Sequence, residues 1–310
     1  MSDFPHASFS LYDKCTLCPR RCQAKRLDGQ KGFCGASATC IAGAALAHHW
    51  EEPIICPETG SGTVFFSCCP LRCVYCQNHV ISHEHQGRVV TVDMLAQSYL
   101  NLQEQGVGNI NLVTAGHFLP HVIASLEIAK TSGLSLPIIY NSSAYENVDS
   151  LRRLEGLIDI YLPDLKLQNQ YHAQKYLGAS DYCSVATRAI EEMFRQVGAC
   201  RFDSKGQLLS RGLIVRILLL PGLVKEAKAA LAYLHTVYGD QIYISLMRQY
   251  TPMPWIAQTH PELNRPVQDE EYEALLDFAV ELGVTRAFTQ EKEAISESFI
   301  PLFEGQGFPS

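Results

Sequence analysis

From Thr63 onward, short apolar runs alternate with amphipathic segments, and this alternation is the feature that most limits the possible folds. Each run has the length of a β-strand, and the segments between runs carry apolar residues at helical spacing. The six runs cover residues 63–67, 109–114, 136–140, 158–162, 213–220 and 242–247. Repeated strand–helix units predict a parallel α/β sheet, and six of them predict a partial (β/α)6 barrel. An open, doubly wound sheet is the alternative.

The length of the chain allows one large domain with appendages. Its 310 residues, 47% of them hydrophobic, can bury a sizeable core. We expect a small Cys-rich N-terminal extension over residues 1–60 and the barrel over residues 61–250. A C-terminal extension over residues 251–310, with one helix near 270–282, is expected to pack on the barrel.

Polar residues close each apolar run and are therefore the candidate site residues. In (β/α) barrels, the loops that leave the C-terminal ends of the strands build the active site. The candidates are residues 69–76, 114–117, 141–143 and 164–166, together with Arg216 and Gln249.

The charge and hydropathy of the chain exclude two classes of partner. The formal net charge is -7 and the pI is about 5.9, so no overall basic field attracts nucleic acid. The longest apolar stretch, residues 213–223, is interrupted by Arg216 and is too short to span a bilayer. The N-terminal residues do not have the pattern of a signal peptide. We expect a cytoplasmic protein that has neither a nucleic-acid nor a membrane partner.

The cysteines are clustered, with ten of the twelve between Cys15 and Cys76. In a reducing compartment, cysteines at short spacings bind metal more often than they form disulfides. Cys69, Cys73 and Cys76 have the spacing C-x3-C-x2-C directly after the first run. Three thiolates can bind three irons of a [4Fe–4S] cluster and leave the fourth iron open, as a catalytic site requires. A zinc site completed by a neighbouring Cys or His is the alternative.

A second group of cysteines precedes the barrel. Cys15, Cys18, Cys22 and Cys34 have the spacing C-x2-C-x3-C-x11-C. Four thiolates form a closed metal site that suits structural zinc or a fully ligated Fe–S cluster, and the spacing does not distinguish the two. Unligated cysteines are the remaining alternative.

The C-x3-C-x2-C motif, with Tyr75 before its last cysteine, resembles the signature of the radical S-adenosylmethionine (SAM) superfamily. With residues 63–78, 109–114, 162–166 and 215–222, the chain resembles uncharacterised radical SAM proteins related to the pyruvate formate-lyase activating enzyme. The similarity extends from Cys15 to about Gln290. It implies that SAM binds the open iron of a [4Fe–4S] cluster. One electron from a flavodoxin or ferredoxin then cleaves SAM to methionine and a 5′-deoxyadenosyl radical.

The resemblance also implies which side chains contact SAM. Residues 164–166 resemble an Asp-x-Lys motif near SAM, whereas residues 114–117 depart from the Gly-Gly-Glu-Pro-like stretch of the family. A strand-end cap, or an ion pair within 164–166, is the alternative for these positions. The implied SAM contacts are Tyr75, His117, Asn141, Ser143, Asp164, Lys166 and Arg216.

The function that follows is an oxidoreductase that abstracts hydrogen from a substrate. The substrate is either a glycine of a glycyl radical enzyme, in which case the protein is its activase, or a small molecule. No cysteine follows Cys200, so we expect the protein to lack the cysteine-rich C-terminal extension that is typical of peptide-maturing radical SAM enzymes. The alternative function is a non-catalytic Fe–S electron carrier or a zinc-held interaction module. A simple carrier needs every iron ligated, which the three-cysteine loop does not provide.

Overall fold

A computed structural model describes residues 7–291, 301 and 303–309, and these residues form one ten-stranded sheet with helices packed against it. The strands are β1 (Ile41–His48), β2 (Ser61–Phe66), β3 (Arg88–Val89), β4 (Ile110–Val113), β5 (Ile138–Ser142), β6 (Ile160–Pro163), β7 (Arg201–Phe202), β8 (Leu209–Leu218), β9 (Tyr243–Met247) and β10 (Ala287–Phe288). The α-helices are α1 (His79–Ser82), α2 (Val92–Glu104), α3 (Leu119–Thr131), α4 (Val148–Arg152), α5 (Gln170–Leu177), α6 (Tyr182–Val197), α7 (Val224–Tyr238), α8 (Ile256–Thr259) and α9 (Asp269–Glu281).

The order of the strands decides between the two expected architectures. Along the sheet the order is β10-β9-β8-β6-β5-β4-β2-β1-β3, and all neighbours from β2 to β10 are parallel. These parallel strands follow chain order without a reversal, whereas a doubly wound sheet reverses its order at a switch point. The predicted partial (β/α)6 barrel is confirmed, with β10 added as a further parallel strand. The doubly wound alternative is wrong.

Burial explains why the central strands are recognisable as apolar runs. Every residue of β2, β5 and β6 is buried. Parallel strands with both faces covered carry continuous apolar sequences, because neither face meets water. Their C-terminal ends all point to one rim of the sheet, which is where the polar candidate residues follow.

The helices between the strands begin at capping side chains. Thr91 accepts a hydrogen bond from the Met94 amide at the start of α2, and Asn169 accepts one from the Tyr171 amide at the start of α5. Helix α5 ends at Gly178, which has a φ of 58°. The sequence predicts helices near residues 93–105, 120–132, 227–238 and 270–282, and α2, α3, α7 and α9 lie within a few residues of these bounds. It missed α5 and α6, which connect β6 to β8.

The sheet crosses both predicted domain boundaries, and the three-part division stays a prediction. Strand β1 lies in the N-terminal extension and pairs antiparallel with β2, while β10 lies in the C-terminal extension and pairs with β9. Residues 305–307 run along β1: the Gly305 amide donates to the Gly43 carbonyl at 2.8 Å, and the Ala45 amide donates to the Gln306 carbonyl at 2.9 Å. Among the described residues, no helix has the length and apolar character needed to cross a membrane.

Candidate active site

A cavity of about 320 Å³ opens at the C-terminal rim of the parallel strands. Its volume falls at the lower end of the range of small-molecule sites, about 300–1,000 Å³. Residues that end or follow each parallel strand line it, from the loop after β2 to the segment after β10. The cavity wall contains six of the seven implied SAM contacts: Tyr75, Asn141, Ser143, Asp164, Lys166 and Arg216.

The three cysteines of the C-x3-C-x2-C motif line this cavity together. The Cys76 amide donates to the Cys73 carbonyl at 3.2 Å, which closes the second half of the loop. Ser82 donates its hydroxyl to the Cys76 Sγ at 3.3 Å. Cys68, one residue before the motif, is buried and does not line the cavity.

The three thiols are shielded from solvent but have hydrogen-bond donors nearby. Burial raises the pKa of Cys69 to about 11, although backbone amides of Arg72 and Leu71 act in the opposite direction. Burial also raises the pKa of Cys73 and of Cys76, and the Ser82 hydroxyl partly offsets it at Cys76. The same amides and hydroxyl can donate to a metal-bound thiolate.

Asp164 and Lys166 form an ion pair within the cavity wall, with 2.8 Å between Lys166 Nζ and Asp164 Oδ2. Burial alone would lower the pKa of Lys166, but the nearby Asp164 carboxylate and Tyr75 raise it well above its ordinary value. The ion pair that the sequence offered as an alternative is therefore present, and it faces the cavity. The predicted contact of these two residues with SAM stays a prediction.

Tyr182 links the C-terminal ends of β5 and β6 through hydrogen bonds. Its buried hydroxyl lies 2.9 Å from the Ser143 carbonyl oxygen and 2.8 Å from the Asp164 carbonyl oxygen. It also accepts a hydrogen bond from the Lys166 amide at 3.0 Å. The rim between β5 and β6 is thus fixed by a side chain from α6, which sequence reasoning missed.

His117 does not line the cavity, so its position does not support the expected contact with SAM. It is buried, and its Nε2 lies 2.7 Å from the Ser67 carbonyl oxygen. Burial, with a smaller contribution from Arg26, lowers the pKa of His117 to about 3. The neutral imidazole of His117 thus forms a hydrogen bond with the backbone just before the cysteine motif.

Arg216 lies in the cavity wall but already has two carboxylate partners. It donates to Glu51 and, at 2.6 and 2.8 Å, to both oxygens of Glu52. Burial would raise the pKa of Glu52, but Arg216 outweighs it and holds that pKa below its ordinary value. The two glutamates come from the predicted N-terminal extension, together with His48 and Trp50 in the same wall. Their position after the apolar run of β1 was the available sequence signal.

The donor set of the loop fits an Fe–S cluster. Three thiols of one loop meet the same cavity, and soft thiolate ligands select iron–sulfur clusters and zinc. In the part of the chain that the structure describes, no three His, Cys, Asp or Glu side chains are arranged to hold a single metal ion. A cluster does not require such convergence, because each cysteine binds a different iron.

The four N-terminal cysteines do not line the cavity. Cys15, Cys18 and Cys34 are buried, and Cys22 is exposed. The Cys69 amide donates to the Cys34 carbonyl at 3.4 Å, so the two cysteine groups are in direct backbone contact.

No family model matches this chain. Over 278 residues it is 24% identical to the uncharacterized protein MJ0674 of Methanocaldococcus jannaschii, covering 87% of this chain and 75% of that protein. Among solved structures, methylornithine synthase superposes with a TM-score of 0.50 at 12% identity, over 71% of this chain. The fold is that of the radical SAM enzymes.

A second solved structure is similar over a comparable part of the chain. Streptococcus suis SuiB, solved bound to S-adenosylmethionine, superposes with a TM-score of 0.47 at 10% identity, over 73% of this chain. This chain spans 60% of the methylornithine synthase chain and 49% of the SuiB chain. A relation to the pyruvate formate-lyase activating enzyme is not among these findings.

Proposed function

We propose that this protein is a radical SAM enzyme that binds a [4Fe–4S] cluster through Cys69, Cys73 and Cys76. The observation that supports the proposal best is the meeting of these three thiols in one cavity at the C-terminal rim of a radical SAM fold. That rim is where barrels of this kind place their catalytic residues. SAM is the proposed second cofactor, because the cysteine motif resembles the signature of the radical SAM superfamily.

The cluster, when bound, supplies the electron that cleaves SAM to methionine and a 5′-deoxyadenosyl radical. The protein provides the positions. Asp164 and Lys166 offer a fixed pair of opposite charges to the amino acid part of SAM, and Asn141 offers hydrogen bonds at the next strand end. The apolar side chains of Phe65 and Met247 in the same wall limit the access of water.

The reaction class is hydrogen abstraction, which makes the protein an oxidoreductase. A glycyl radical enzyme is the proposed protein substrate if the chain acts as an activase, and a small molecule is the alternative. A cytoplasmic flavodoxin or ferredoxin is the proposed electron donor. These three assignments rest on the similarity of the sequence motifs to the activating enzymes.

The test is the formation of 5′-deoxyadenosine. Protein reconstituted anaerobically with iron and sulfide is reduced with dithionite in the presence of SAM, and products are measured by liquid chromatography and mass spectrometry. We expect 5′-deoxyadenosine and methionine in equal amounts. Cys183→Ala, which alters a cysteine of α6 outside the cavity wall, serves as the control and should retain this activity. A protein that holds a full cluster and yields no 5′-deoxyadenosine would contradict the proposal.

A further inference from the structure

We propose that Cys15, Cys18, Cys22 and Cys34 bind a second metal centre through their thiolates, and that the buried Arg26 balances its negative charge. None of these residues lines the cavity of the candidate active site. The inference therefore goes beyond the proposed function and does not depend on it.

A tight loop carries the first three cysteines. The Cys15 amide donates to the Ala24 carbonyl at 3.1 Å, and the Gln23 amide donates back to the Cys15 carbonyl at 2.9 Å. Between them, the Arg21 amide donates to the Cys18 carbonyl at 3.0 Å and forms a turn. This paired loop keeps its three cysteines on a short, fixed stretch of backbone.

The fourth cysteine reaches this loop from a second turn. The Gly35 amide donates to the Gly32 carbonyl at 3.0 Å. A Cβ atom at Gly32 would lie 3.1 Å from Cys22 Sγ and 3.6 Å from Cys34 Sγ. The two thiols, twelve residues apart in sequence, therefore meet over a glycine that leaves room for them.

Arg26 is a buried charged residue of this region and is 1% exposed. Its guanidinium donates to the Ser37 carbonyl at 2.6 and 3.0 Å and to the His117 carbonyl at 2.6 Å. Its Nη1 lies 3.7 Å from Cys15 Sγ, and its Cζ lies 4.1 Å from the centre of the Tyr12 ring. These acceptors are neutral, and within the described ranges no carboxylate forms an ion pair with Arg26.

A buried guanidinium without a counterion is strongly destabilising. Four thiolates around a divalent zinc ion, or around an Fe–S cluster, leave an excess of negative charge at the site. Such a centre would give Arg26 the anionic partner that its surroundings lack. Hydrogen bonds from charged donors to ligand sulfur also stabilise the bound metal.

Four thiolate ligands favour two kinds of metal centre, a zinc ion or an Fe–S cluster. The described thiols are not arranged to hold a single ion. Zinc binding would therefore draw them together, whereas a cluster takes one thiolate at each iron. Both centres share the thiolate ligation that we propose, and metal analysis separates them.

The test uses the full chain with Cys69→Ala, Cys73→Ala and Cys76→Ala combined, so that the candidate catalytic cluster cannot form. This variant is reconstituted anaerobically with iron and sulfide, or supplied with zinc, and its metal and sulfide contents are measured. We expect about four irons with sulfide, or about one zinc, per chain. If the variant is folded by circular dichroism and holds neither metal, the proposal is wrong.

Substitutions at Cys22 and at Arg26 in this background test the ligands and the charge. Cys22 is exposed, so Cys22→Ala should leave the fold intact and should lower metal affinity at least tenfold, while Cys183→Ala keeps it. Undiminished affinity in Cys22→Ala would contradict the ligand set.

Arg26→Gln should lose metal to a chelator about 10–100 times more readily than Arg26→Lys, which keeps the charge. Equal retention by these two variants would overturn the role of Arg26, and if Arg26→Gln does not fold, the Cys22→Ala result decides the proposal.

Discussion

The backbone amide of Cys69 donates to the carbonyl oxygen of Cys34 at 3.4 Å, joining the first cysteine of the cavity loop to the last of the N-terminal group. Arg20 adds a second connection, because its guanidinium donates to the Pro70 carbonyl at 3.0 Å and the Leu71 carbonyl at 3.4 Å. It also donates to the Gly178 carbonyl at 2.6 Å, beyond α5. The N-terminal segment thus holds the cysteine loop from outside the cavity.

Replacing Arg20 should therefore weaken the cluster without touching a ligand. In Arg20→Met the carbonyls of Pro70 and Leu71 lose their hydrogen-bond donor. The cysteine loop then becomes more flexible, which disfavours binding of the cluster by all three cysteines. We expect the yield of 5′-deoxyadenosine after reconstitution to fall severalfold and the loss of cluster iron to a chelator to accelerate. The neighbouring and exposed Arg21 provides the matched control, and Arg21→Met should behave as the wild type. Similar iron retention in both variants would argue against this role.

The three cavity cysteines should each be indispensable. Cys69→Ala, Cys73→Ala and Cys76→Ala are expected to abolish 5′-deoxyadenosine formation, because a cluster with a missing ligand does not keep its geometry. Cys68→Ala should retain it, since Cys68 does not line the cavity. Iron content and 5′-deoxyadenosine yield measure the difference. An indispensable Cys68 with a dispensable Cys69 would show that the ligands are assigned incorrectly.

Asp164→Asn should impair SAM binding more than it impairs folding. The substitution removes the charge that faces Lys166 in the cavity but keeps a hydrogen-bonding side chain of the same shape. We expect the dissociation constant for SAM to rise tenfold or more, while unfolding free energy falls by about 1–3 kcal/mol. Binding is measured by calorimetry and stability by urea unfolding. Glu262→Gln breaks the more exposed ion pair with Lys175, and it should change neither the affinity for SAM nor the stability strongly. Loss of stability with unchanged SAM binding would leave Asp164 a structural role alone.

Arg216→Met should be the most destabilising change in the cavity wall. It leaves the Glu51 and Glu52 carboxylates, both nearly buried, without their cation. Removing one partner of a buried ion pair costs about 3–5 kcal/mol. Arg216→Lys keeps the charge and should cost less, which urea unfolding of both variants can measure. Equal stability of the two variants would mean that the ion pairs contribute little.

Glu146 provides a prediction for the pH dependence of stability. It is 6% exposed, and its carboxyl packs against Gly116, where a Cβ atom would lie 2.5 Å from a Glu146 oxygen and 2.7 Å from the Tyr140 hydroxyl. Burial raises the pKa of Glu146 from 4.5 to about 8, against a smaller opposite effect of Tyr140. Between these two pH values the folded state holds a proton that the unfolded state has lost.

Stability should therefore fall as the pH rises from about 4.5 to about 8 and then level off. The decrease attributable to this group is on the order of a few kcal/mol. Glu146→Gln has no proton to lose, so its melting temperature should change less with pH across this window. Glu104→Gln, at an exposed position in α2, should keep the wild-type profile. If all three proteins give the same profile in a thermal scan, Glu146 is already ionised in the folded protein.

The sequence predicted the central sheet well because burial of both faces leaves continuous apolar runs. It predicted poorly where that signal is weak. Strand β1 is rich in alanine, which has little preference for strands, and β10 has only two residues. Helices α5 and α6 are separated only by residues 178–181, and the mixed polar and apolar sequence of this segment did not indicate two helices.

The candidate site was predictable as far as it depends on strand ends. The cysteine loop and residues 164–166 face the cavity because parallel strands place their C-terminal ends at one rim. The pairing of Arg216 with Glu51 and Glu52 was not predictable, because it joins side chains about 165 positions apart. His117 also follows a strand end, but it does not line the cavity, and its ring forms a hydrogen bond with the Ser67 carbonyl oxygen instead.

The pairing of residues 305–307 with β1 has a consequence for the order in which the chain folds. During synthesis, the ribosome releases β1 and β2 long before the residues that cover the outer side of β1. Until then the open backbone groups of β1 from Gly43 to Ala45 are free to pair with another nascent chain. Residues 305–307 thus protect a strand that is made much earlier, and a chain released before they are made would be prone to aggregate.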